Sequence, residues 1–317
     1  MNINTPVIYM AQIIPPIQFV FGTMGNIINI ILFIRPNLRT NPCSIYCLAG
    51  SINNILFTCL FALTDYLSNA WNINLSLNTD LWCKLSVIIK YLPYSLLLWF
   101  PVLASIDRFL SSSRNVQLRQ LSNVKIARRM IIGIYIILIM LNIHLPIFAR
   151  SSPSDVGYYC TIFSDEYYIF NSFFTSILYC VLPLILMCIF GILIIHNVHN
   201  IHNRVVPNLN NVQNTRLRSQ DRQMIRMLLF QILITILLSL PYMASFIYII
   251  VRLFYTDYNF SWSEYLIYYC FIGVSKYLYH TNFAIGFYIY TLASVKYRAE
   301  LKHCLHFGFN TVVAKLK

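Results

Sequence analysis

The sequence predicts an all-α membrane protein, a bundle of seven transmembrane helices followed by a short amphipathic helix. Of its 317 residues, 58% are hydrophobic and only 10% are charged, whereas a soluble domain has roughly a quarter of its residues charged. The charged residues also separate seven long apolar stretches, each able to supply the ~20 residues that cross a bilayer as a helix. Helices are favoured because a segment in lipid must satisfy its own backbone hydrogen bonds.

The expected spans follow from the positions of the charged residues along the chain. Their bounds are residues 9–34, 43–66, 84–110, 127–149, 168–197, 223–251 and 265–292. Residues 295–305 then alternate apolar and basic side chains with helical spacing, which predicts an amphipathic helix on the inner leaflet. The loops are too short to form separate domains, so residues 1–317 are predicted to form a single domain.

The 23 Lys and Arg residues are distributed unequally between the two sets of loops. Most of them follow the first and seventh spans, or lie between the third and fourth and between the fifth and sixth. Cytoplasmic loops are enriched in Lys and Arg, so this distribution predicts a multi-pass plasma-membrane protein with an extracellular N-terminus. It also accounts for the net charge of +13 without a nucleic-acid partner. Sequons at Asn74 and Asn259 fall in loops assigned to the outside and are predicted glycosylation sites.

Two cysteines fall on the predicted outer side, Cys83 at the start of the third span and Cys160 in the loop before the fifth. In an oxidising compartment they form a disulfide or remain two free thiols, and the disulfide is the favoured interpretation. A continuous helix from Cys83 to Asp107-Arg108 would be ~37 Å long, so these residues mark opposite ends of the span. The nine cysteines lack the pair spacing of a zinc site, so no metal is predicted.

Signatures of enzymes are missing from the sequence. It contains no His-Glu-x-x-His, no Gly-x-Ser-x-Gly and no phosphate-binding loop, so neither an enzyme nor a cofactor is predicted. A seven-helix transporter is an alternative, although the internal repeats typical of transporters are missing. A chemoreceptor channel of seven helices is another, although it would place its N-terminus inside.

Six short motifs occur in order along the predicted spans. They are Gly25-Asn26, Asp107-Arg108-Phe109, Pro183, Leu240-Pro241, Tyr290 and Tyr297-Arg298. In this order and spacing the chain resembles, over nearly its whole length, the class A or rhodopsin-like G-protein-coupled receptors. The resemblance implies a receptor that binds an extracellular ligand and activates a heterotrimeric G protein on the cytoplasmic face.

Several positions depart from the family pattern. Ser239 replaces the Trp that usually lies two residues before the kink proline, and Gly286-Phe287 replaces the usual Asn-Pro of the seventh span. Asn53 or Asn54 occupies the place of an Asp in the second span, which puts a sodium site in doubt, and no Trp marks the fourth span. The chain is therefore predicted to be a divergent member, and a receptor-like scaffold that has lost coupling is a further alternative.

The resemblance implies a coupling switch at the inner end of the bundle, formed by Asp107, Arg108, Asp221 and Tyr290. Arg108 would hold the inactive state by pairing with Asp107 and Asp221, and would meet the G protein when released. The alternative is an Arg at a helix end whose side chain reaches the lipid phosphates.

Three further residues are notable for their position. Pro183 and Pro241 each remove a backbone hydrogen bond inside a span and are predicted to kink it. The sixth-span kink would let the inner half of that helix move, although a static kink is the alternative. Cys304, near the end of the amphipathic helix, is a predicted palmitoylation site or an unmodified cysteine.

The expected ligand pocket contains two lysines and four companions with polar tips: Lys90, Lys276, Tyr91, Tyr94, Tyr242 and His280. A charge inside a span faces the bundle interior rather than lipid. The resemblance puts Lys90 where amine receptors carry an Asp, so a cation there favours a small acidic molecule or a short peptide as ligand. Alternatively, each Lys pairs with an internal carbonyl or with an outer acid such as Asp65 or Glu264.

Overall fold

The computed structural model describes residues 5–71, 80–154, 157–162, 165–202, 212–255 and 261–316, which are helical apart from one hairpin and the short turns between elements. The elements in chain order are α1 (Thr5–Ile34), α2 (Pro36–Arg39), α3 (Pro42–Phe57), α4 (Leu63–Trp71), α5 (Asp80–Leu96), α6 (Trp99–Ser112), α7 (Val116–Leu121), α8 (Val124–Asn142), α9 (Leu145–Phe148), β1 (Ala149–Ser154), β2 (Gly157–Ile162), α10 (Asp165–Ser176), α11 (Leu182–His202), α12 (Val212–Tyr255), α13 (Trp262–Ala284), α14 (Gly286–Ala293) and α15 (Val295–Leu316). Two π-helical segments, Thr58–Ala62 and Ile177–Val181, lie within the second and fifth spans.

Six helical stretches of the described chain are long and apolar enough to cross a membrane. They are Tyr9–Ile34, Pro42–Ser68, Asp80–Ser112, Val124–Phe148, Ile169–His199 and Gln223–Ile249. The seventh span, formed by α13 and α14, carries the polar residues Glu264, Lys276 and His280, and α13 packs against α1 and α12 in the bundle. The predicted all-α membrane fold with seven transmembrane helices is confirmed.

The outward faces of the spans are apolar. On α8, Ile132, Ile136 and Met140 expose 60%, 57% and 63% of their surface. Residues four apart lie on one face of a helix, so these side chains form a continuous apolar stripe. A stripe of this kind on the outside of a protein marks a membrane-facing surface, and it meets the lipid bilayer.

The third span is not the single continuous helix that the sequence led us to expect. α5 ends at Leu96 and α6 begins at Trp99. Pro101 is the physical reason, because it has no N–H to donate to the Leu97 carbonyl four residues earlier and its ring crowds that carbonyl. The span is therefore built from two helices that meet near its middle.

Three other irregularities lie in the fifth, sixth and seventh spans. Pro183 lies two residues after the end of the π-helical segment Ile177–Val181, which is the kind of local widening that accommodates a residue without an N–H. Pro241 lies inside α12, which continues through it as a helix. The seventh span breaks at Ile285, and Gly286 begins α14, so the expected span over residues 265–292 is also divided.

A β-hairpin lies between the fourth and fifth spans, where the all-helical prediction had none. β1 pairs antiparallel with β2, and Ser151 lies opposite Cys160. Cys160 forms a disulfide with Cys83 in α5, with 5.5 Å between their Cα atoms. The Ser151 N–H also donates to Asp80 Oδ1 at 2.9 Å. These two links fix the hairpin against one end of the bundle, which we call the Cys83 half; the opposite part is the Arg108 half.

The helix after the seventh span, α15, extends beyond the expected residues 295–305 to Leu316. Its first turns are attached to α1 and to the residue after it. Tyr297 Oη donates to Asn29 Oδ1 at 2.5 Å, and Arg35 Nε lies 3.2 Å from Glu300 Oε2. α15 therefore begins at a position fixed by the first span.

Candidate functional site

A cavity of about 270 Å³ lies between the helices in the Cys83 half of the bundle. It is slightly smaller than the roughly 300–1,000 Å³ typical of ligand sites. Most of the residues expected to form a pocket line it, namely Tyr91, Tyr94, Tyr242, Lys276 and His280. Lys90 is not among the described lining residues. The cavity also has lining residues that sequence reasoning missed: Phe61, Asp65, Tyr179 and Tyr279 among others.

Tyr94 is the centre of the aromatic lining. Its ring stacks on Phe61 with 5.1 Å between the ring centroids, and lies edge-on to His280 at 6.3 Å. Its hydroxyl donates to the Tyr242 hydroxyl at 3.3 Å, and Tyr279 lies 5.8 Å from its ring. Aromatic pairs of this geometry contribute about 0.5–1.5 kcal/mol each beyond buried area. The walls are thus held in place and present flat apolar faces with polar tips.

An ion pair forms the charged part of the cavity wall. Lys276 Nζ donates to both carboxylate oxygens of Asp65, at 2.8 Å and 3.0 Å. The side chains of Lys276 and Asp65 are 27% and 25% exposed, so neither charge is sealed off. Pairing with Asp65 was one of the alternatives that the sequence left open. The cavity wall therefore carries matched opposite charges at Lys276 instead of an isolated cation.

A second ion pair lies outside the cavity near the start of α13. Arg252 Nη2 lies 2.8 Å from Glu264 Oε1, on the exposed surface. Ser261 forms a capping box with Glu264 at the start of α13. Glu264 therefore pairs with Arg252 and caps a helix.

Arg108 lies at the other end of the third span and is almost completely buried, with 1% of its surface exposed. Its guanidinium donates to Asp107 Oδ2 twice, from Nη2 at 2.6 Å and from Nε at 3.1 Å. Because Arg108 is buried, its side chain does not reach the lipid phosphates, which was the alternative interpretation. Asp221 lies within α12, but its side chain is outside the described part of the chain.

Two neighbouring residues also form hydrogen bonds with this ion pair, and the sequence did not indicate either. Asn41 Oδ1 accepts from Arg108 Nη2 at 3.0 Å and also from the Cys43 N–H at 3.0 Å, which caps α3. Ser122 Oγ donates to Asp107 Oδ1 at 2.7 Å. The ion pair is therefore hydrogen-bonded to the segments before α3 and before α8.

The cavity and the buried Arg108 occupy opposite halves of one seven-helix bundle. A family model described as 7 transmembrane receptor (rhodopsin family) matches residues 25–285. The chain belongs to the rhodopsin family of seven-transmembrane receptors. This receptor is a multi-pass membrane protein, and its family is one of receptors rather than of transporters or channels.

Tyr290, near the end of the seventh span of the receptor, is buried and donates to Gln231 Oε1 on α12 at 3.0 Å. Its ring lies 5.6 Å from the ring of Phe33 on α1. Gln231 is another residue that the sequence did not single out. The bond connects the sixth and seventh spans in the Arg108 half of the receptor.

Two of the positions where this receptor departs from the family pattern, 239 and 54, form neutral polar pairs. Ser239, in place of the usual Trp, is fully buried and accepts from Asn282 Nδ2 at 3.2 Å. Asn54 Nδ2 donates to Asn26 Oδ1 at 3.2 Å, linking the second span to the first. These amide and hydroxyl contacts replace the larger or charged side chains usual in the family.

A second, smaller cavity of about 30 Å³ lies next to these pairs. Its described lining residues include Asn29, Asn54, Gln231 and Asn282, and no Asp or Glu is among them. A space of this volume suits one or two water molecules hydrogen-bonded to several polar groups. The side chains present are therefore suited to water rather than to a strongly held cation.

Of the three remaining predicted sites, the structure describes Cys304 and leaves out the two sequon residues. Asn74 and Asn259, the two sequon residues, lie outside the described residues. Cys304 is half-buried on α15 and packs against the buried hydrophobic residues of the bundle core.

Proposed function

We propose that this receptor binds a small extracellular ligand in the cavity of the Cys83 half and activates a heterotrimeric G protein on the cytoplasmic side. The observation that carries the proposal is the Asp107–Arg108 ion pair, buried in the opposite half of the bundle. Burying a paired charge is expensive, and separating the pair removes the opposite charge that each side chain contacts. A released guanidinium at this end is suited to binding a partner protein.

The proposal places the Arg108 half in the cytoplasm and the N-terminus outside the plasma membrane. The excess of Lys and Arg in the loops of that half supports this orientation. The Cys83–Cys160 disulfide at the opposite end supports it independently, because disulfides persist in oxidising compartments.

The ligand is proposed to be small and to carry an anionic group. A cavity of about 270 Å³ has room for a small molecule or for one end of a short peptide. The group that would attract an anion is the Lys276 ammonium. About a quarter of the Lys276 side chain is exposed, so the ammonium is accessible although it lies beside Asp65. Tyrosine hydroxyls on the aromatic walls would orient the ligand by hydrogen bonds.

The sixth span is the element that would transmit binding to the other half. Tyr242 lines the cavity and directly follows Pro241, and Gln231 lies on the same helix at the contact with Tyr290. A ligand that shifts Tyr242 therefore acts next to the proline where the helix can bend. Ligand binding would favour one of two existing positions of the inner half of α12.

Complex formation with a G protein tests the coupling part of the proposal. The receptor in lipid vesicles is mixed with heterotrimers of each main class, nucleotide is removed, and bound heterotrimer is measured before and after a GTP analogue. We expect Asp107→Asn to retain more heterotrimer than the wild type, because a neutral amide holds Arg108 less strongly. Glu264→Gln, at the other end of the bundle, is the matched control.

Two outcomes of that experiment would decide between the alternatives. Retention that the GTP analogue abolishes supports a coupled receptor. If the wild type and Asp107→Asn are folded and membrane-inserted, yet retain none of the heterotrimers, the protein is a receptor-like scaffold.

The orientation has its own test. An epitope added to the N-terminus should be labelled on intact cells, and one added to the C-terminus only after permeabilisation. The reverse pattern would overturn the proposed orientation.

A further inference from the structure

Asp65 and Lys276 present two opposite charges side by side on the wall of the ligand cavity. The ammonium lies 2.8 Å and 3.0 Å from the two carboxylate oxygens. About a quarter of each side chain is accessible, so a molecule in the cavity could contact either charge. Asp65 was not expected to belong to a binding site from the sequence, and it reaches the cavity from α4.

We infer that the cavity selects a zwitterion, whose ammonium binds Asp65 while its carboxylate binds Lys276. The inference rests on the proposed function for the cavity being the ligand site, and it specifies the chemical class of that ligand. It also changes the expectation of a purely acidic ligand, since the cation at Lys276 has a carboxylate beside it.

The electrostatic balance of the cavity favours a zwitterion over a singly charged molecule. An anion that binds Lys276 in place of Asp65 exchanges one ion pair for another and adds a negative charge to the cavity, and a cation on Asp65 likewise adds a positive charge. Adding a net charge to a partly enclosed space is unfavourable. A zwitterion exchanges one ion pair for two and leaves the net charge of the cavity unchanged.

The geometry narrows the class further, to α-amino acids and compounds built like them. The ammonium and carboxylate of an α-amino acid are attached to one carbon, so they lie side by side as the Lys276 and Asp65 groups do. The rest of the ligand would lie against the aromatic walls formed by Phe61, Tyr91 and Tyr94. Flat apolar walls favour an aromatic or branched apolar side chain.

Matched probe compounds test the inference on the purified receptor in lipid nanodiscs. One set is phenylalanine, 3-phenylpropionate and 2-phenylethylamine, which share a ring and differ only in charge. A second set is leucine, 4-methylpentanoate and 3-methylbutylamine. The readout is the melting temperature as a function of probe concentration, because a ligand that binds the folded state raises it.

We expect at least one zwitterion to stabilise the wild-type receptor at concentrations about tenfold to a hundredfold lower than its singly charged relatives require. That range corresponds to one additional hydrogen bond to a charged group. In Asp65→Asn the advantage of the zwitterion over the carboxylate should disappear, because the partner of the ammonium is gone.

Two further variants separate loss of binding from loss of folding. The double variant Asp65→Asn with Lys276→Gln removes both charges of the ion pair together, and it should no longer distinguish the three members of a set by charge. The control pair Arg252→Gln with Glu264→Gln removes an exposed ion pair outside the cavity. It should keep the wild-type preference for the zwitterion.

Three results would overturn the inference. One is stabilisation of the wild type by a carboxylate as strong as that by its zwitterion. Another is a zwitterion preference that survives in Asp65→Asn. The third is no stabilisation by any zwitterion at millimolar concentration, in a receptor that unfolds cooperatively. Because the readout contains no G protein, binding of a zwitterion without heterotrimer retention would contradict only the coupling proposal.

Discussion

Tyr290 on α14 donates a hydrogen bond to Gln231 on α12, with 3.0 Å between the two side-chain atoms. The bond lies in the Arg108 half, beyond the proline at position 241 in the sixth span and the break at Ile285 in the seventh. Each of these features allows the segments on its two sides to change their relative angle. The bond therefore stabilises one relative position of the two helix segments in the Arg108 half.

Replacing Gln231 by Leu should raise ligand-independent signalling. A net hydrogen bond contributes about 1 kcal/mol, so its loss should shift the balance between the two receptor states about fivefold. The measurement is basal nucleotide exchange on the G protein that couples. Tyr290→Phe should have the same effect, and the double variant should add little to either single change. Fully additive effects would show that the two residues act separately.

Asn41→Ala should also raise basal exchange, because Asn41 Oδ1 is an acceptor for Arg108 Nη2. The variant also loses the cap of α3, which costs about 1 kcal/mol of stability. Asn123→Ala is the matched control, since Asn123 caps α8 through the Ile126 N–H and does not contact Arg108 in the contacts described. Both variants should have a lower melting temperature than the wild type, and only Asn41→Ala should show higher basal nucleotide exchange. Equal basal exchange in the two variants would rule out a role for the Arg108 contact.

Sodium should have no specific effect on this receptor. The smaller cavity holds neutral amides and hydroxyls where the family usually has an Asp, and its described lining contains no carboxylate. Exchanging sodium for potassium at constant ionic strength should leave basal exchange and melting temperature unchanged. Asn54→Asp should introduce a difference between the two cations, because a carboxylate is a preferred ligand for hard cations. A sodium effect in the wild type would contradict this account of the cavity.

The Cys83–Cys160 disulfide should be required for stability of the Cys83 half. It joins α5 to the hairpin across a sequence separation of 77 residues, and loss of a native disulfide typically costs about 2–5 kcal/mol. Cys83→Ser and Cys160→Ser should each lower the melting temperature and weaken binding of any cavity ligand. Cys59→Ser, at an exposed free cysteine in the second span, is the control and should leave both unchanged.

Much of the fold could be predicted because lipid imposes a simple rule on sequence. Apolar runs bounded by charges define spans without knowledge of tertiary contacts. The breaks within spans are harder to predict, although Pro101 indicates one of them: a proline inside a span disturbs the carbonyl four residues earlier. The hairpin of β1 and β2 could not be predicted, because it depends on pairing in a short loop held by a disulfide and by Asp80.

The residues of the candidate sites also differ in how far the sequence could predict them. Asp107 and Arg108 are adjacent in sequence, so their pairing could be anticipated. The partner of Lys276 is Asp65, 211 residues earlier in the chain, and the sequence could only offer it as one alternative among several. Gln231 was missed because a glutamine in an apolar helix has no distinctive spacing, and only its contact with Tyr290 shows its role.

In the proposed mechanism, the Asp107–Arg108 ion pair controls coupling to a G protein. The most direct measurement is basal nucleotide exchange in vesicles carrying the wild type, Asp107→Asn, Arg108→Ala or the double variant at equal amounts. We expect Asp107→Asn to raise exchange above the wild type, and we expect the added Arg108→Ala change to alter this gain. Exchange at background in all four folded receptors, or a gain that Arg108→Ala leaves unchanged, would contradict the claim.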